Sequence, residues 1–259
     1  MPDSPAALRL ESPFYACDEH LAIDLPGARA LFTTRRGGFS SGPYASLNLG
    51  RLTDDDPETV NRNRAVLQAR VAGRLAMIRQ VHGSRVLRLM DAPDGNAAAP
   101  DSYRSLQEAD GQATARPGLA PMVLTADCLP IALGAGGAVA MLHAGWRGLA
   151  EGIVEEGVRA VRELAGEQPV SAAIGPGAGG CCYEVGEEVH ALFPSYGGEV
   201  HRDGKLDLKA IAREQLERAG ARKVHDAGLC TICSPPELFF SHRRDRGVTG
   251  RQAGLAWLT

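Results

Sequence analysis

The sequence predicts a fold of the α/β (α+β) class. Two short apolar runs, residues 125–133 and 138–143, meet at a glycine-rich quartet, residues 134–137, which is a pattern typical of a β-hairpin. Directly after this hairpin the apolar residues take up helical spacing over residues 148–165. The chain has 259 residues, of which 44% are hydrophobic, so it can bury a substantial core.

The chain before the hairpin is predicted to contain short strands and one helix. Residues 1–28 are expected to be irregular, because prolines recur among them. The acidic and proline-bearing stretch at residues 54–58 combines an N-cap candidate with a proline at the first helical position, which predicts a helix over residues 57–72. Strands are expected over residues 30–34, 75–78, 86–89 and 121–125, and a polar loop over residues 91–104.

After the hairpin, a helix is predicted over residues 148–165, and its first peptide groups follow His143 closely. A helix N-terminus attracts phosphate or carboxylate, so Arg147 at this position is a candidate anion ligand. Further elements are expected as strands over residues 170–174 and 251–258 and helices over residues 184–193 and 207–220. No linker composition interrupts the chain, which predicts one domain over residues 29–259.

The composition of the chain limits the classes of binding partner that we expect. The formal net charge is −3, which provides no basic field for nucleic acid or for an anionic membrane. The N-terminus has no signal-peptide pattern, and no apolar stretch reaches the roughly 18 residues of a membrane span. We therefore expect a cytoplasmic protein, a monomer or homodimer, that acts on small molecules and binds neither nucleic acid nor membrane.

Six cysteines in a chain of this length are expected to be free thiols in a reducing compartment. Cys230 and Cys233 have C-x-x-C spacing, but a structural zinc site would need two further ligands from elsewhere, and ordinary thiols near a loop are the simpler interpretation. Gly175, Gly177 and Gly180 formally match the dinucleotide fingerprint. Because no regular series of βαβ units surrounds them, close backbone packing is the preferred interpretation.

The hairpin carries the residues with the clearest chemistry. If residues 134–137 form the loop, Cys128 lies directly opposite His143, with Cβ atoms about 4.5–5.5 Å apart. A thiol and an imidazole at that separation bind one metal ion or act as a nucleophile and its base. His82, at a predicted turn, is the best third ligand, and a Cys-His-His set suits Zn²⁺. Asp127 is a candidate to orient a ligand or act as a general base.

Six motifs follow one another along the chain: Thr33-Thr34-Arg35-Arg36-Gly37-Gly38, Gln80-Val81-His82-Gly83, Thr125-Ala126-Asp127-Cys128-Leu129-Pro130, His143-Ala144-Gly145-Trp146-Arg147-Gly148, Gly175-Pro176-Gly177 with Cys181-Cys182-Tyr183-Glu184-Val185, and Phe239-Phe240-Ser241 through Gly250-Arg251-Gln252. In these motifs the chain resembles the YfiH family, first labelled laccase-domain or polyphenol oxidase proteins and now described as zinc-containing purine nucleoside phosphorylases.

The resemblance implies a single domain of mixed β-sheets flanked by helices in layers. It implies metal ligands at His82, Cys128 and His143. The implied activity is phosphorolysis of adenosine, inosine, guanosine and methylthioadenosine, with a second activity as an adenosine deaminase. Such a reaction needs purine nucleosides and phosphate as partners and an anion cradle beside the ribose.

Roles within this site are hypotheses from the residues. Asp127, Cys128 and Arg147 are predicted to be catalytic, and Arg36, Asn48, Gln80 and Arg147 to bind substrate. Arg36, beside glycines at a strand end, and Arg147 are the candidates for the phosphate cradle. The expected cofactor is Zn²⁺ rather than copper.

Three alternatives stay open. A copper-dependent polyphenol oxidase would also use histidines and cysteine, but the sequence contains no His-x-His pair. A metal-free cysteine hydrolase would use Cys128 as nucleophile and His143 as base. A non-catalytic metal-binding interaction module would use the same ligands without turnover.

Overall fold

Two six-stranded mixed sheets dominate the computed structural model, which describes residue 8 and residues 10–90 and 106–259. The strands are β1 (Tyr15–Cys17), β2 (His20–Leu25), β3 (Ala28–Phe32), β4 (Arg74–Ala76), β5 (Val86–Arg88), β6 (Gly111–Thr114), β7 (Leu119–Thr125), β8 (Leu129–Ala135), β9 (Ala138–Ala144), β10 (Ser171–Ile174), β11 (His201–Arg202), β12 (Lys205–Leu206), β13 (Lys223–Asp226) and β14 (Gln252–Leu258). The helices are α1 (Pro57–Ala69), α2 (Trp146–Ala150), α3 (Ile153–Ala165), α4 (Glu187–His190) and α5 (Leu208–Arg218), with a 3₁₀ turn at Gly42–Tyr44.

The first sheet has the order β1-β2-β3-β14-β7-β4 and the second the order β13-β10-β8-β9-β6-β5. Most neighbours are antiparallel, whereas β4 with β7, β5 with β6 and β10 with β13 are parallel. The strands β11 and β12 form a separate two-stranded ribbon. Both large sheets are therefore mixed, as predicted.

The sheets pack face to face with helices on their outer faces. Ile23, Phe32 and Val123 of the first sheet pack with Met141 of the second in a core between the two. Helix α1 covers the outer face of the first sheet through residues such as Leu67. Helices α3 and α5 cover the outer face of the second sheet. This layered arrangement, helix, sheet, sheet, helices, confirms the predicted fold class.

The central hairpin has a tighter turn than predicted. Ala135 pairs with Ala138, so the loop contains two residues and ends at Gly137, whose φ is 101°. Gly134 stays inside the strand, where a Cβ would lie only 2.7 Å from the Leu25 side chain in the facing sheet. Gly134 is thus needed for packing between the two sheets rather than for the turn. For this reason residues 134–137 do not all belong to the loop.

The predicted pairing of Cys128 with His143 is wrong. His143 lies opposite Pro130, and Cys128 comes just before the strand β8 begins. The register differs from the predicted one by two residues, and side chains alternate between faces with a period of two. The shift therefore returns the same side chains to the same face.

The prediction that residues 1–28 are irregular is wrong for the strands β1 and β2, which pair with each other and continue through β3 into the first sheet. Five of the six β2 residues are buried, because this strand packs on both faces. Its apolar residues form a short continuous run between prolines, which carries a weak strand signal. Residues 1–7 and 9, and the predicted loop at residues 91–104, lie outside the described residues.

Helices α1 and α5 start where their caps predicted, since Asp56 accepts from the backbone N–H of Thr59 and Asp207 from that of Lys209. The single helix predicted over residues 148–165 is instead α2 followed by α3, because Gly152 interrupts it with a φ of 88°. The helix predicted over residues 184–193 is only the single turn α4. No helix within the described ranges is both long and apolar enough to cross a bilayer.

His20, the first residue of β2, is 1% exposed. Its Nδ1 accepts a hydrogen bond from the backbone N–H of Thr34 at 3.3 Å, and its Nε2 lies 3.2 Å from the guanidinium of Arg70. Burial, together with the charge of Arg70, lowers the pKa of His20 from 6.5 to about 4. The neutral form of this ring is therefore part of the folded structure.

We expect the free energy of unfolding to fall as the pH drops from 7 to 5. The unfolded chain binds a proton at His20 below pH 6.5, whereas the folded chain does so only near pH 4. The stability from neutral His20 is thus complete above pH 6.5 and is lost towards pH 4. The loss at pH 5 is about 2 kcal/mol. Urea unfolding at both pH values measures it; a His20→Gln variant with the same pH dependence as the wild type would contradict it.

Candidate metal centre and adjoining cavity

Three predicted ligands meet at one point between the sheets and the loops that follow them. The Sγ of Cys128 and one ring nitrogen each of His82 and His143 all lie within 4.8 Å of one another. The two imidazole rings are edge to face, with centroids 4.9 Å apart and an interplanar angle of 75°. Soft sulfur and two imidazole nitrogens are donors that suit zinc, and three protein ligands leave one position open.

His82 is placed by a turn that folds around a buried carboxylate. Its φ is 64°, a left-handed conformation that few residues other than glycine adopt without support. The backbone N–H groups of Val81, His82 and Gly83 all donate to the carboxylate of Asp110, at 3.1, 2.9 and 2.7 Å. Asp110 therefore fixes the turn that presents the His82 ring.

The same carboxylate also orients His143. The Nδ1 of His143 lies 2.7 Å from Asp110 Oδ1, and the backbone N–H of His143 donates to the Asp110 carbonyl at 2.7 Å. With Nδ1 engaged, Nε2 is the nitrogen left for a metal, as in carboxylate–histidine–zinc triads. Asp110 is fully buried, and burial acts to raise the pKa of its carboxyl, but the hydrogen bond and charge of His143 together with the N–H groups of Gly83 and Val81 lower it overall.

Cys128 follows Asp127, a buried residue in the left-handed region with a φ of 90°. The Asp127 carboxylate accepts hydrogen bonds from the Thr231 hydroxyl and from the backbone N–H of Arg243, both at 2.7 Å. These two bonds tie the Cys128 segment to the loops at residues 230–233 and 241–247. Asp127 lines the cavity next to the ligands, and its general-base role stays a prediction.

The cysteine and histidine polarise each other. Burial acts to raise the pKa of Cys128, but the neighbouring His143 and His82 rings lower it to about 6. Burial acts to lower the pKa of His143, but Cys128 and Asp110 raise it to about 9. The surroundings therefore favour a thiolate, which is the form that binds a metal. The donor set and its electrostatics both fit a resident divalent ion.

Gly145 leaves room for the thiol. A Cβ at this position would lie 2.9 Å from Cys128 Sγ and 3.7 Å from the His82 ring, although the backbone φ of −86° suits any residue. We expect Gly145→Ala to displace the sulfur and to weaken zinc binding at this site by about tenfold without unfolding the protein. Zinc retained against a chelator of known affinity measures the effect.

Gly198→Ala is the matched control, because a Cβ there meets nothing within 4 Å. Equal zinc retention in Gly145→Ala and Gly198→Ala would contradict the steric role of Gly145.

A cavity of about 410 Å³ opens beside the three ligands. Its volume falls in the range of small-molecule sites. Arg51, Arg243 and Arg251 bring positive charge to its wall, and Leu124 and Tyr183 provide apolar surface. The complete lining is Gly50, Arg51, Leu52, Thr53, Gln80, His82, Leu124, Ala126, Asp127, Cys128, His143, Tyr183, His242, Arg243 and Arg251.

The predicted substrate residues are placed unequally. Gln80 lines the cavity, and its amide group exchanges two 2.8 Å hydrogen bonds with the backbone of Leu124. Asn48 is buried behind the wall, where its Oδ1 accepts from the backbone N–H of Arg251 at 2.9 Å. Asn48 thus positions an arginine of the cavity rather than lining it.

The two arginines predicted to cradle phosphate lie apart from the lining. Arg36 borders a separate surface hollow with Ser46 and Glu237. Arg147 stacks over the ring of Trp146, with its guanidinium carbon 4.0 Å from the ring centroid. The helix that contains Arg147 has only five residues, because Gly152 ends it early. The roles predicted for both residues stay predictions.

Sequence reasoning missed several residues of the site. Asp110 stands in a short polar stretch with no pattern that marks it, since its role depends on contacts with segments 28 and 33 residues away. Tyr183 and Arg251 stand in motifs of the family resemblance, but no role was predicted for them. Burial raises the pKa of Tyr183 to about 12, so its hydroxyl is a donor at neutral pH. No role was predicted for His242 or Arg243 either, although both line the cavity.

The fold and the site together define a class: a layered sandwich of two mixed sheets with a candidate mononuclear Cys-His-His metal centre at the edge of a cavity. The chain belongs to the YfiH family, since residues 29–259 match the family described as multi-copper polyphenol oxidoreductase laccase and its relatives carry the YfiH name. This confirms the family predicted from the motifs.

Two relatives illustrate the similarity in sequence. The chain is 41% identical to a protein of Xylella fastidiosa (strain Temecula1) named purine nucleoside phosphorylase, over 90% of this chain and 93% of that protein. It is 38% identical to the Escherichia coli (strain K12) protein named purine nucleoside phosphorylase YfiH, over 90% of this chain and 94% of that protein.

Solved structures show the same fold. The crystal structure of YfiH from Bacillus licheniformis superposes with a TM-score of 0.85 at 33% identity and covers 96% of this chain and all of that one. That of YlmD from Geobacillus stearothermophilus superposes with a TM-score of 0.82 at 34% identity, over 97% of this chain and 98% of that one.

Proposed function

We propose that the protein is a zinc-dependent purine nucleoside phosphorylase. It converts adenosine, inosine, guanosine or methylthioadenosine and phosphate into the free base and the sugar 1-phosphate, and it also deaminates adenosine. The observation that carries the proposal is the Cys-His-His cluster at the wall of a cavity that arginines also line. The names of the relatives support it.

The cavity offers complementary surfaces for the two substrates. Leu124 and the ring of Tyr183 are suited to a purine base, while Arg243 and Arg251 are suited to phosphate, for which guanidinium groups are good ligands. In phosphorolysis a phosphate oxygen bonds to C1′ while the C1′–N9 bond breaks. The electron pair of that bond goes to N9, which takes up a proton. Arginines beside the ribose stabilise the charge that is redistributed in this step.

The residues of the centre have separate proposed roles. His82, Cys128 and His143 would hold zinc, which when bound supplies a Lewis acid and lowers the pKa of a water ligand. Deamination of adenosine adds water at C6 and releases ammonia, so it needs that chemistry next to the base. Asp127 is proposed to position the Arg243 loop through its hydrogen bond to the backbone.

The test is product analysis with the purified protein. Inosine and phosphate should give hypoxanthine and ribose 1-phosphate, and adenosine without phosphate should give inosine and ammonia. His82→Ala should lose both reactions, whereas His225→Ala, at a half-buried position on β13 away from the cavity, should retain them. A zinc-loaded wild type that turns over none of these nucleosides would overturn the proposal.

The same preparation distinguishes the alternatives. A copper-dependent polyphenol oxidase, suggested by the family description, would oxidise phenols after copper loading. A metal-free cysteine hydrolase, suggested by the thiolate of Cys128 next to His143, would stay active after removal of metal. A non-catalytic metal-binding module would hold the ion and turn over nothing. We expect about one zinc ion at the Cys-His-His centre.

The remaining proposals concern organisation. We propose that residues 29–259 form one catalytic domain, which is supported by the extent of the family match. A monomer or homodimer in the cytoplasm is proposed, with small molecules as its partners rather than nucleic acid or membrane. The net charge of −3 supports small molecules as the partners, because it provides no basic field for nucleic acid or an anionic membrane.

A further inference from the structure

Four cysteines outside the Cys-His-His centre form a second cluster. Cys181, Cys182, Cys230 and Cys233 offer sulfur atoms that all lie within 4.8 Å of one another. They come from two segments separated by about fifty residues: the pair after the glycine-rich turn and the C-x-x-C segment near the chain end. Cys181 and Cys182 thus supply the two further thiols that a structural metal site at Cys230 and Cys233 needs.

The fold brings the two segments together through the backbone. Gly177 and Cys230 form a parallel bridge, in which the Gly177 N–H donates to the Leu229 carbonyl and the Thr231 N–H donates to the Gly177 carbonyl at 3.0 Å. The N–H groups of Cys182 and Tyr183 both donate to the Gly179 carbonyl at 3.0 Å. The four cysteines therefore lie on two segments that backbone hydrogen bonds hold against each other.

One of the four sulfur atoms accepts a backbone hydrogen bond. The Gly179 N–H donates to Cys230 Sγ at 3.3 Å. The thiolate is the metal-binding form of cysteine, and a backbone N–H group directed at a sulfur atom suits that form.

The spacing of the sulfurs fits a shared ion. The Sγ atoms of Cys181 and Cys233 are 3.7 Å apart. A tetrahedral zinc ion with Zn–S bonds of about 2.3 Å separates its sulfur ligands by roughly 3.8 Å. A disulfide would need a sulfur separation of about 2.05 Å and could join only two of the four at a time. Gly179 keeps this packing open, since a Cβ there would lie 3.2 Å from Cys181 Sγ.

We propose that Cys181, Cys182, Cys230 and Cys233 bind a second divalent zinc ion in a tetrathiolate site. Nearby positive charge supports a site of this kind, because Arg243 donates to the Glu184 carbonyl and Arg244 to the Thr231 carbonyl, beside the two cysteine segments. The inference stands independently of the proposed activity, since it uses none of the cavity residues as ligands.

The second ion has a structural role next to the cavity. Cys182 precedes Tyr183, which lines the cavity, and Thr231, between the two cysteines of the C-x-x-C segment, donates to Asp127 at 2.7 Å. Asp127 in turn precedes the ligand Cys128. The tetrathiolate site therefore fixes both segments that support the wall of the first centre.

The test counts metal. Wild-type protein, purified with reductant and without added metal, should carry about two zinc ions per chain by elemental analysis and native mass spectrometry. The variant Cys181→Ser/Cys233→Ser should carry about one, and its two exposed positions make misfolding a minor risk. Cys17→Ser, also at an exposed cysteine, is the matched control and should keep both ions.

The two sites are distinguished by crossing the variants. His82→Ala should lose only the first ion, and the triple variant with Cys181→Ser/Cys233→Ser should lose both. Replacement of zinc by Co²⁺ should give thiolate charge-transfer absorption that the double cysteine variant largely loses. A wild type with the same metal content as the double cysteine variant, or an intact mass that shows these cysteines joined in disulfides without metal, would overturn the proposal whatever the nucleoside assays show.

Discussion

Replacing Cys128 with alanine is expected to abolish nucleoside phosphorolysis and to remove the metal from the Cys-His-His centre. The substitution deletes the single charged ligand, and two imidazoles alone hold zinc poorly. A bound zinc ion contributes several kcal/mol of charge stabilisation to a reaction of this kind. The expected loss of kcat/KM for inosine is therefore about 10³-fold or more.

The measurement is steady-state kinetics with inosine and phosphate, paired with zinc analysis of the same sample. Cys17→Ala is the control, because Cys17 is exposed at the end of β1 and belongs neither to the Cys-His-His centre nor to the cluster of four cysteines. The fold of Cys128→Ala should persist, since removal of a sulfur from a cavity wall leaves the sheets intact. Near wild-type turnover by Cys128→Ala would exclude a catalytic metal held by this thiol.

Much of this centre could be predicted from local pattern. His143 and Cys128 flank one hairpin, and the alternation of side chains keeps them on one face even though the predicted register was two residues off. The prediction that these two side chains lie together therefore holds, although the predicted turn between their strands was wrong. An error of two residues in the predicted strand register leaves both side chains on the same face, whereas an error of one residue would have placed them on opposite faces.

The rest of the site depends on contacts that no local pattern encodes. Arg251 enters the cavity because its backbone N–H binds Asn48, 203 residues earlier in the chain. Arg243 is placed by its bond to Asp127, 116 residues away. Both arginines stand in charged or glycine-bearing stretches that resemble any solvent-exposed turn. Sequence alone therefore identified the three candidate metal donors but not the arginines that line the cavity.

Helix α2 shows a similar limit. The apolar spacing over residues 148–165 continues across Gly152, so periodicity predicts one helix. The left-handed conformation of Gly152 divides it in two, and a Cβ on Gly148 would lie 3.0 Å from the carbonyl oxygen of Gly83. The short first helix thus packs against the turn that holds His82. The break itself stands at Gly152, and apolar spacing does not reveal the left-handed conformation of that residue.

Asp110→Asn is the variant that tests how the centre is assembled. The carboxylate accepts from three backbone N–H groups of the His82 turn and from the His143 ring, all in a fully buried position. An asparagine of the same shape offers one acceptor oxygen and turns an N–H group towards donors that it cannot satisfy. We expect zinc affinity at the Cys-His-His centre to fall by about 10–100-fold. The free energy of unfolding should fall by about 3 kcal/mol, because buried donors lose a charged partner.

Glu108→Gln serves as the control. Glu108 is two residues from Asp110 in the chain, and its carboxylate forms an exposed ion pair with Arg79. The substitution should change stability by less than about 1 kcal/mol and leave zinc binding unchanged. Urea unfolding and zinc competition on both variants separate the two effects. If Asp110→Asn bound zinc as tightly as Glu108→Gln, the turn at His82 would have to be fixed by other contacts. The positive φ of His82 argues against this, because that conformation is disfavoured unless surrounding hydrogen bonds hold it, and in this structure three consecutive N–H groups converge on one carboxylate.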